Sequence, residues 1–283
     1  MTHSKNDVED ADPLQSKLRF IRSIQIPTNE DLSLLIHFLA DSNENEMICA
    51  AVYPILQKAG KPAADILMSA YSNHCDRIGG KAGDKIGGED EMDEKLQIRF
   101  SYAFSQLSES PSPVFETFIQ SKHPRVRQNG VAGFARLNDR RYDSLLFDLL
   151  MTDPSFETAC EAAAALSFGG AEALKYFEAA MAFDLNHSAG ESLEKKLEGE
   201  AALQKSYMAS QTKIDADKAN KTAVSKKRFD ETLLDKHVLA KVIEISGDIG
   251  NTGTLPYLTV YLNHPDERIS GIAAESIQKI NSK

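Results

Sequence analysis

The apolar residues of this chain recur with helical spacing, and the same spacing returns along the sequence. With Val126 as position zero, small or apolar residues follow at +4, +8 and +11, which lie on one face of an α-helix. Closely similar spacings begin at five other residues: Ile48, Leu96, Phe156, Val238 and Ile269. The Phe156 segment fits only in part, because Ser167 stands at +11. The pattern predicts six amphipathic helices.

A shorter apolar helix is predicted before each of these six, so the repeating unit is a pair of helices. The six starts are separated by 48, 30, 30, 82 and 31 residues. The three short separations define a repeat, and the two long ones indicate insertions, which we place at 76–94 and 184–231. The predicted fold is an all-α solenoid of about six pairs over 27–283, after a polar leader and capping helix over 1–26.

Proline, aspartate and glycine mark the predicted ends of helices. Pro124, Pro154 and Pro265 stand where second helices begin, and proline suits a first helical position because the missing N–H has no partner there in any case. Asp153 is predicted to cap the helix after it. Gly250 follows a helical run, as expected of a C-terminal cap.

Several of these stretches carry a resemblance to a known family. The segments Ile245-Ser-Gly-Asp-Ile-Gly250 and Thr254-Leu-Pro-Tyr-Leu258, then His264-Pro-Asp266, resemble the links between HEAT repeats, and Pro124-Arg-Val-Arg127 resembles a second-helix entry. The likeness includes the short bacterial HEAT-like type found in PBS lyases, and it covers most of 28–281 outside the insertions. It implies an elongated protein-binding surface and no single reaction.

Composition narrows the classes of partner. The formal net charge is −10 and the isoelectric point is about 5.3, which disfavours nucleic acid as the main ligand because phosphate binding needs a basic surface. Cys49, Cys75 and Cys160 form no CxxC pair, so neither a zinc site nor a disulfide framework is predicted. The polar first residues and the lack of a long apolar run predict a cytoplasmic protein without a membrane span.

No motif in the sequence carries chemistry. His74-Cys75-Asp76 is the compact cluster of reactive residue types, but a catalytic thiol needs a base that the sequence does not identify. The glycine-rich segment 76–94 lacks both a phosphate-binding motif and calcium-loop spacing. The helical His-Glu pairs of HEAT-like deoxyhypusine hydroxylases are absent too. We predict no catalytic residue, metal or cofactor, and a non-enzymatic protein-binding scaffold or adaptor; the alternative is a HEAT-like enzyme or a chromophore lyase or chaperone.

The candidate binding residues come from one flank of two neighbouring second helices. Positions −1, +3, +6 and +10 share this flank by helical geometry. It predicts a docking patch for an acidic protein, composed of Lys95, Arg99, Tyr102, Arg125 and Arg136. The alternative is a structural ladder in which the arginines of this region, including Arg140 and Arg141, pair with Asp139, Asp143 or Asp148. The insertions are likewise either functional arms or tolerated surface additions.

Overall fold

The computed structural model describes residues 12–79, 94–107, 112–188 and 234–283, and across these ranges the chain is helical without a strand. The predicted all-α class, built from packed helix pairs, is therefore confirmed. The chain divides into two compact units, Met1–Arg136 and Leu137–Lys283. That a single repeat array follows residue 26 stays a prediction. No helix in the described ranges combines the length and apolar character that crossing a membrane requires.

Each unit is a succession of helices, several of which pack against the next helix along the chain. The first unit contains α1 (Pro13–Ser23), α2 (Asn29–Ala40), α3 (Glu46–Ala59), α4 (Lys61–Gly79), α5 (Glu94–Ser105), α6 (Ser112–Phe118) and α7 (Pro124–Leu137), which reaches the boundary. The second contains α8 (Asp143–Thr152), α9 (Phe156–Ser167), α10 (Leu174–Ser188), α11 (Lys236–Ile249), α12 (Leu255–Tyr261) and α13 (Glu267–Asn281).

Short polar side chains fix where the helices of the first unit begin. Thr28 and Asp31 form a capping box at the start of α2, with each side chain bonded to the other residue's backbone N–H. Asn45 caps α3 by accepting from the N–H of Met47 at 2.8 Å. Gly60 ends α3 with φ 64°, a left-handed conformation that a residue with a Cβ adopts at a cost. The pairs are therefore joined by tight, specified turns.

A cluster of aromatic side chains joins four helices of the first unit. Tyr71 of α4 contacts Phe100 and Phe104 of α5, with ring centroids 5.6 and 5.8 Å apart, and it also contacts Phe118 of α6. Phe134 of α7 completes the cluster through the ring of Phe115, a neighbour of Phe118 in α6. Rings of this size bury much apolar area and favour such tilted and edge-on contacts, so α4, α5, α6 and α7 share one core.

The second unit uses small residues where its second helices meet. Gly247 of α11 lies against Ser276 of α13, and a Cβ added to this glycine would stand 2.5 Å from the serine Cβ. The Ser276 hydroxyl also donates to the carbonyl of Ile243 at 3.1 Å. This close approach brings α11 and α13 into extensive contact, and α11 packs on α9 as well.

Two sequence predictions about helix ends need correction. The cap of α9 is Ser155, whose hydroxyl accepts from the N–H of Thr158 at 3.3 Å, while Asp153 accepts from Ser155 itself. Pro154 and Pro265 precede their helices, whereas Pro124 is the first residue of α7. α4 continues to Gly79 and α10 to Ser188, so both helices extend into the first residues of the predicted insertions. The remainder of 76–94 and 184–231 lies largely outside the described residues, and the bounds of the insertions stay a prediction.

The predicted register of α9 is also wrong. Phe156 was assigned to the buried face, but it is 43% exposed, while Thr158 and Ala159 are buried. Ala162 and Leu166 of the same helix are buried as well. A run of alanines offers no difference in size between faces, so tertiary packing and not local pattern decides which face turns inward.

Candidate functional site

A cleft of about 440 Å³ lies between α3 and α5 in the first unit. On α3 the lining residues are three or four positions apart and therefore lie on one face of the helix. On the other side, the lining residues lie at the C-terminal end of α5. The lining consists of Ala50, Tyr53, Pro54, Gln57, Tyr102 and Gln106. Ala50, Pro54 and Gln57 are exposed, so the cleft opens to solvent along α3.

Two tyrosines form the wall of this cleft. The rings of Tyr53 and Tyr102 meet edge to face with centroids 4.6 Å apart. Both side chains are half-buried, and burial raises the pKa of Tyr53 above its ordinary range. The Tyr53 phenol therefore stays uncharged, and the pair presents ring surface and hydroxyl groups. Tyr102 is one of the five site residues predicted from the sequence, whereas Tyr53 of α3 is not among them.

Arg99 lies beneath this surface and not on it. It is 2% exposed, and its Nη2 donates to the carbonyl of Glu44 at 2.7 Å and to Glu46 Oε1 at 2.8 Å. Its Nη1 donates to the carbonyl of Asp41, the residue that ends α2. Carbonyls at the end of a helix lack partners within the helix, and a cation there is favoured by the helix dipole. Arg99 is thus an internal anchor for the turn between α2 and α3.

Lys95 serves the same turn from its edge. Its Nζ donates to the carbonyl of Ser42 at 2.9 Å and lies 3.3 Å from Glu46 Oε1. The hydrogen bond from Arg99 is the main cause that lowers the pKa of Glu46. Lys95 and Arg99 therefore share the carboxylate of Glu46. The acidic partner that the sequence analysis predicts in another protein is, for these two residues, a side chain of the same chain.

Arg125 and Arg136 stand apart from that pair and from each other. They are 11 residues apart in α7, or about 16 Å along a helix axis. Both are exposed; Arg125 Nη1 donates to Gln128 Oε1 at 2.7 Å, and Arg136 Nε donates to the carbonyl of Ser105 at 2.7 Å. The five predicted residues are therefore not one patch: two brace a turn, Tyr102 lines the cleft, and Arg125 and Arg136 lie at opposite ends of α7.

The geometry of the repeat explains this dispersal. Position +3 of a second helix faces the preceding repeat, as Arg99 does in α5. In α7 the equivalent Asn129 donates to Ser101 Oγ at 2.9 Å and to the carbonyl of Ile98 at 3.3 Å. Part of the alternative ladder is present in the second unit, where Arg140 pairs with Asp143 at 2.5 Å and Arg141 pairs with Asp139.

A second cleft, of about 310 Å³, lies between α2 and α4. Small and polar residues line it, together with His37 and His74. Cys75, next to His74, is half-buried, and the Asp76 side chain of that predicted cluster lies outside the described residues. Burial raises the pKa of the thiols of Cys49 and Cys160, which favours their inert protonated form. No group of three or more metal-ligating side chains comes together in the described ranges.

Comparisons with known proteins give distant structural similarities. No protein-family model matches the chain, and no curated protein matches its sequence. Solved structures similar to it include human deoxyhypusine hydroxylase in complex with glycerol, at 13% identity over 90% of this chain and 97% of that one, with a TM-score of 0.34. A designed armadillo repeat protein matches at 14% identity over 88% and 100%, and an engineered protein at 16% over 96% and 76%, each with a TM-score of 0.34.

Proposed function

We propose that this chain is a non-catalytic protein-binding scaffold or adaptor, and that it binds its partner through the cleft between α3 and α5. The observation that carries the proposal is the Tyr53–Tyr102 pair, half-buried at the wall of a cleft open to solvent. Tyrosine is enriched among residues that dominate binding energy. It presents a large amphipathic surface and loses little conformational entropy on binding.

The remaining lining supports recognition of a protein segment. Gln57 and Gln106 offer amide donors and acceptors, and Pro54 and Ala50 offer apolar surface with no charge to desolvate. The tyrosine hydroxyls are the titratable groups among the six lining residues. General acid–base catalysis works best with a group that titrates near the operating pH, and the raised pKa of Tyr53 is far from that range. The cleft is suited to holding a chain in place.

The exposed rim favours a polymer over a small molecule. A small-molecule site usually encloses most of its ligand, whereas Ala50, Pro54 and Gln57 leave one side of this cleft in solvent. A stable protein interface buries about 800 Å² on each partner, so contact would extend beyond the cleft onto the exposed residues of neighbouring helices. The tyrosines would then form the centre of the interface and the surrounding residues its rim.

Site-specific photo-crosslinking in living cells tests this function. A photoreactive amino acid placed at Gln57, which is exposed at the cleft, is expected to give a discrete light-dependent crosslinked species. The same amino acid at Thr259, exposed in α12 of the second unit, serves as the matched control and is expected to give none. Adding Tyr102→Ala to the Gln57 probe should abolish the species while the far-ultraviolet circular dichroism stays helical.

Two outcomes count against the proposal. One is the absence of any light-dependent species at Gln57. The other is a species that persists with Tyr102→Ala or that forms equally from Thr259, because either result separates binding from the tyrosine pair.

A further inference from the structure

The end of α7 holds a guanidinium in a defined orientation beside the cleft. Arg136 is exposed, and its Nε donates to the carbonyl of Ser105, the last residue of α5, at 2.7 Å. A hydrogen bond at Nε restrains the plane of the guanidinium group. Among the described residues, Nη1 and Nη2 of Arg136 make no hydrogen bond or ion pair. The four N–H groups of Nη1 and Nη2 are therefore available as donors, while the hydrogen bond from Nε to Ser105 holds the guanidinium in place.

The same serine connects Arg136 to the lining of the cleft. The Gln106 side chain, which lines the cleft, donates from Nε2 to Ser105 Oγ at 3.3 Å. Arg136 and Gln106 thus converge on one residue, with Tyr102 one helical turn earlier on α5. The Arg136 side chain therefore reaches the end of α5 next to Gln106, although Arg136 itself is not among the residues that line the cleft.

Charge along α7 distinguishes this position within an acidic chain. The helix contains three arginines and no acidic residue, while the chain carries a net charge of −10. Arg127 is buried and donates to the carbonyls of Ser121 and Lys122, and Arg125 bonds Gln128 at the far end. Since salt screens exposed charges beyond about 8 Å at physiological ionic strength, the local arginine and not the net charge governs what binds here.

We propose that the cleft receives a peptide segment of a partner protein that places a large apolar side chain against Tyr53 and Tyr102 and an Asp or Glu carboxylate on Arg136. This inference rests on the proposed function and specifies the chemistry of the partner. Two parallel N–H donors of an arginine match the two oxygens of a carboxylate, which gives both strength and orientation. The spacing between ring wall and guanidinium then selects peptides with an acidic residue at a fixed distance from an apolar one.

Selection from a library of random dodecapeptides displayed on phage, with the full-length chain as bait, tests the proposal. We expect enriched sequences to share an aromatic or large aliphatic residue and an Asp or Glu at constant separation. A synthetic peptide of the enriched sequence should bind Arg136→Gln at least about 10-fold more weakly, since hydrogen bonds to charged groups are strong. Arg125→Gln, the same change at the other end of α7, should alter its affinity by less than about 2-fold.

A double-mutant cycle identifies the contact itself. Replacing the acidic residue of the peptide by its amide should weaken binding to the unaltered protein by the same factor as Arg136→Gln, with no further loss when both changes are combined. Arg136→Lys, which keeps the charge but not the fork, should restore only part of the affinity. Circular dichroism of each variant verifies that it is folded.

The outcomes separate this inference from the function beneath it. Enriched peptides that depend on Tyr102 but have no acidic position, or that bind Arg136→Gln and Arg125→Gln equally, would overturn the role of Arg136 and leave the cleft as the binding site. If the library yields no enriched peptides, or only peptides that still bind Tyr102→Ala, both the role of Arg136 and the cleft as binding site are overturned. Tight binding of a single-stranded oligonucleotide that depends on Tyr102 and Arg136, in place of peptide enrichment, would overturn both as well.

Discussion

The two units are built from the same helix pair, yet their second helices meet in different ways. In the first unit, the rings of Tyr53 and Tyr102 stand between α3 and α5 and leave a cleft open beside them. In the second, Gly247 and Ser276 let α11 and α13 approach until no room for a methyl group remains. Residue size at a few contact positions therefore decides whether neighbouring helices leave an open cleft or close into core.

Among the described residues, the most deeply buried charged side chain is a cation in the first unit and a carboxylate in the second. The first buries the cation of Arg99 on the carbonyls of Asp41 and Glu44, in the turn between α2 and α3. The second buries the carboxylate of Asp184, which lies 3.1 Å from the hydroxyl of Tyr261. A buried charge is tolerated only when it has hydrogen-bonding partners. We therefore expect the free energy of unfolding to fall strongly when these contacts are removed and to change little on substitution of surface residues.

The largest expected effect is at Arg99. Arg99→Met removes the donors to the carbonyls of Asp41 and Glu44 and should lower the free energy of unfolding by about 3 kcal/mol, because buried acceptors lose charged partners. Urea denaturation followed by circular dichroism measures it. Arg125→Met, on the surface of the same unit, should change stability by less than about 0.5 kcal/mol. Equal effects of the two variants would contradict the anchoring role of Arg99.

The close contact in the second unit predicts the next effect. Gly247→Ala places a Cβ 2.5 Å from Ser276 Cβ and 2.6 Å from its Cα, so backbone must move, at about 2 kcal/mol of stability. Gly271→Ala is the matched control, since its Cβ would meet nothing within 4 Å; this change should stabilise α13 by about 0.5–1 kcal/mol. Thermal denaturation should therefore shift in opposite directions for the two alanines, and shifts in the same direction would show that the helices are not so closely packed.

A smaller loss is expected at Tyr261. Its hydroxyl lies 3.1 Å from both Asp184 Oδ2 and the carbonyl of Met181, and burial raises its pKa, so it stays protonated and donates. Tyr261→Phe should lower the free energy of unfolding by about 1–2 kcal/mol. Tyr102→Phe, which changes a half-exposed hydroxyl in the first unit, should lie within about 0.5 kcal/mol of the unaltered chain. Urea midpoints of the two variants make the comparison.

The smallest effects distinguish the units by pH. Bonding to Arg99 lowers the pKa of Glu46 from its ordinary 4.5, so its carboxylate stabilises the first unit above pH 4.5, and this contribution is lost as the pH falls through the lowered value. Burial raises the pKa of Glu178 in the second unit above its ordinary 4.5. Its charged form therefore destabilises the fold at neutral pH. This cost decreases as the pH falls through the raised pKa, and it is absent below pH 4.5.

Amide variants test these opposite signs. At pH 7 Glu46→Gln should slightly destabilise the chain and Glu178→Gln should slightly stabilise it. Both differences should vanish at low pH, where the carboxyl groups are protonated. Urea midpoints measured from pH 7 to pH 3 give the result; differences of the same sign at pH 7 would contradict one of the two assignments.

The repeat and its turns could be predicted from the sequence because large apolar and polar residues occupy opposite faces of the helices there. Large apolar residues such as Ile48 and Val238 identify a buried face, and both are buried. The alanine run after Phe156 carries no such contrast, and its register depends on the helices that pack on it. For the same reason the sequence did not predict the exposed ring of Phe156, whose centroid lies 5.1 Å from that of the His237 ring in a tilted contact.

The candidate site was less accessible, since charge at a helical position does not reveal what faces it. Arg99, Lys95 and Arg136 share one flank of their helices in sequence, but the turn before α3 occupies part of that flank. Backbone carbonyls have no sequence signature. From the sequence, an arginine that donates to carbonyls of its own chain therefore cannot be distinguished from one that is exposed and able to bind another protein. Tyr53 carried a usable signal: it is an aromatic residue on the helical face that also holds Pro54 and Gln57.

A fluorescent reporter tests the central claim most directly, because the chain contains no tryptophan. Tyr102→Trp places a single reporter in the cleft, and Phe168→Trp places one at a 66% exposed position in the second unit. Each variant is titrated with the peptide selected on the unaltered protein. We expect a saturable blue shift for Tyr102→Trp, as the indole loses water, and no shift for Phe168→Trp. Binding without any change at Tyr102→Trp, or with a shift only at Phe168→Trp, would contradict it.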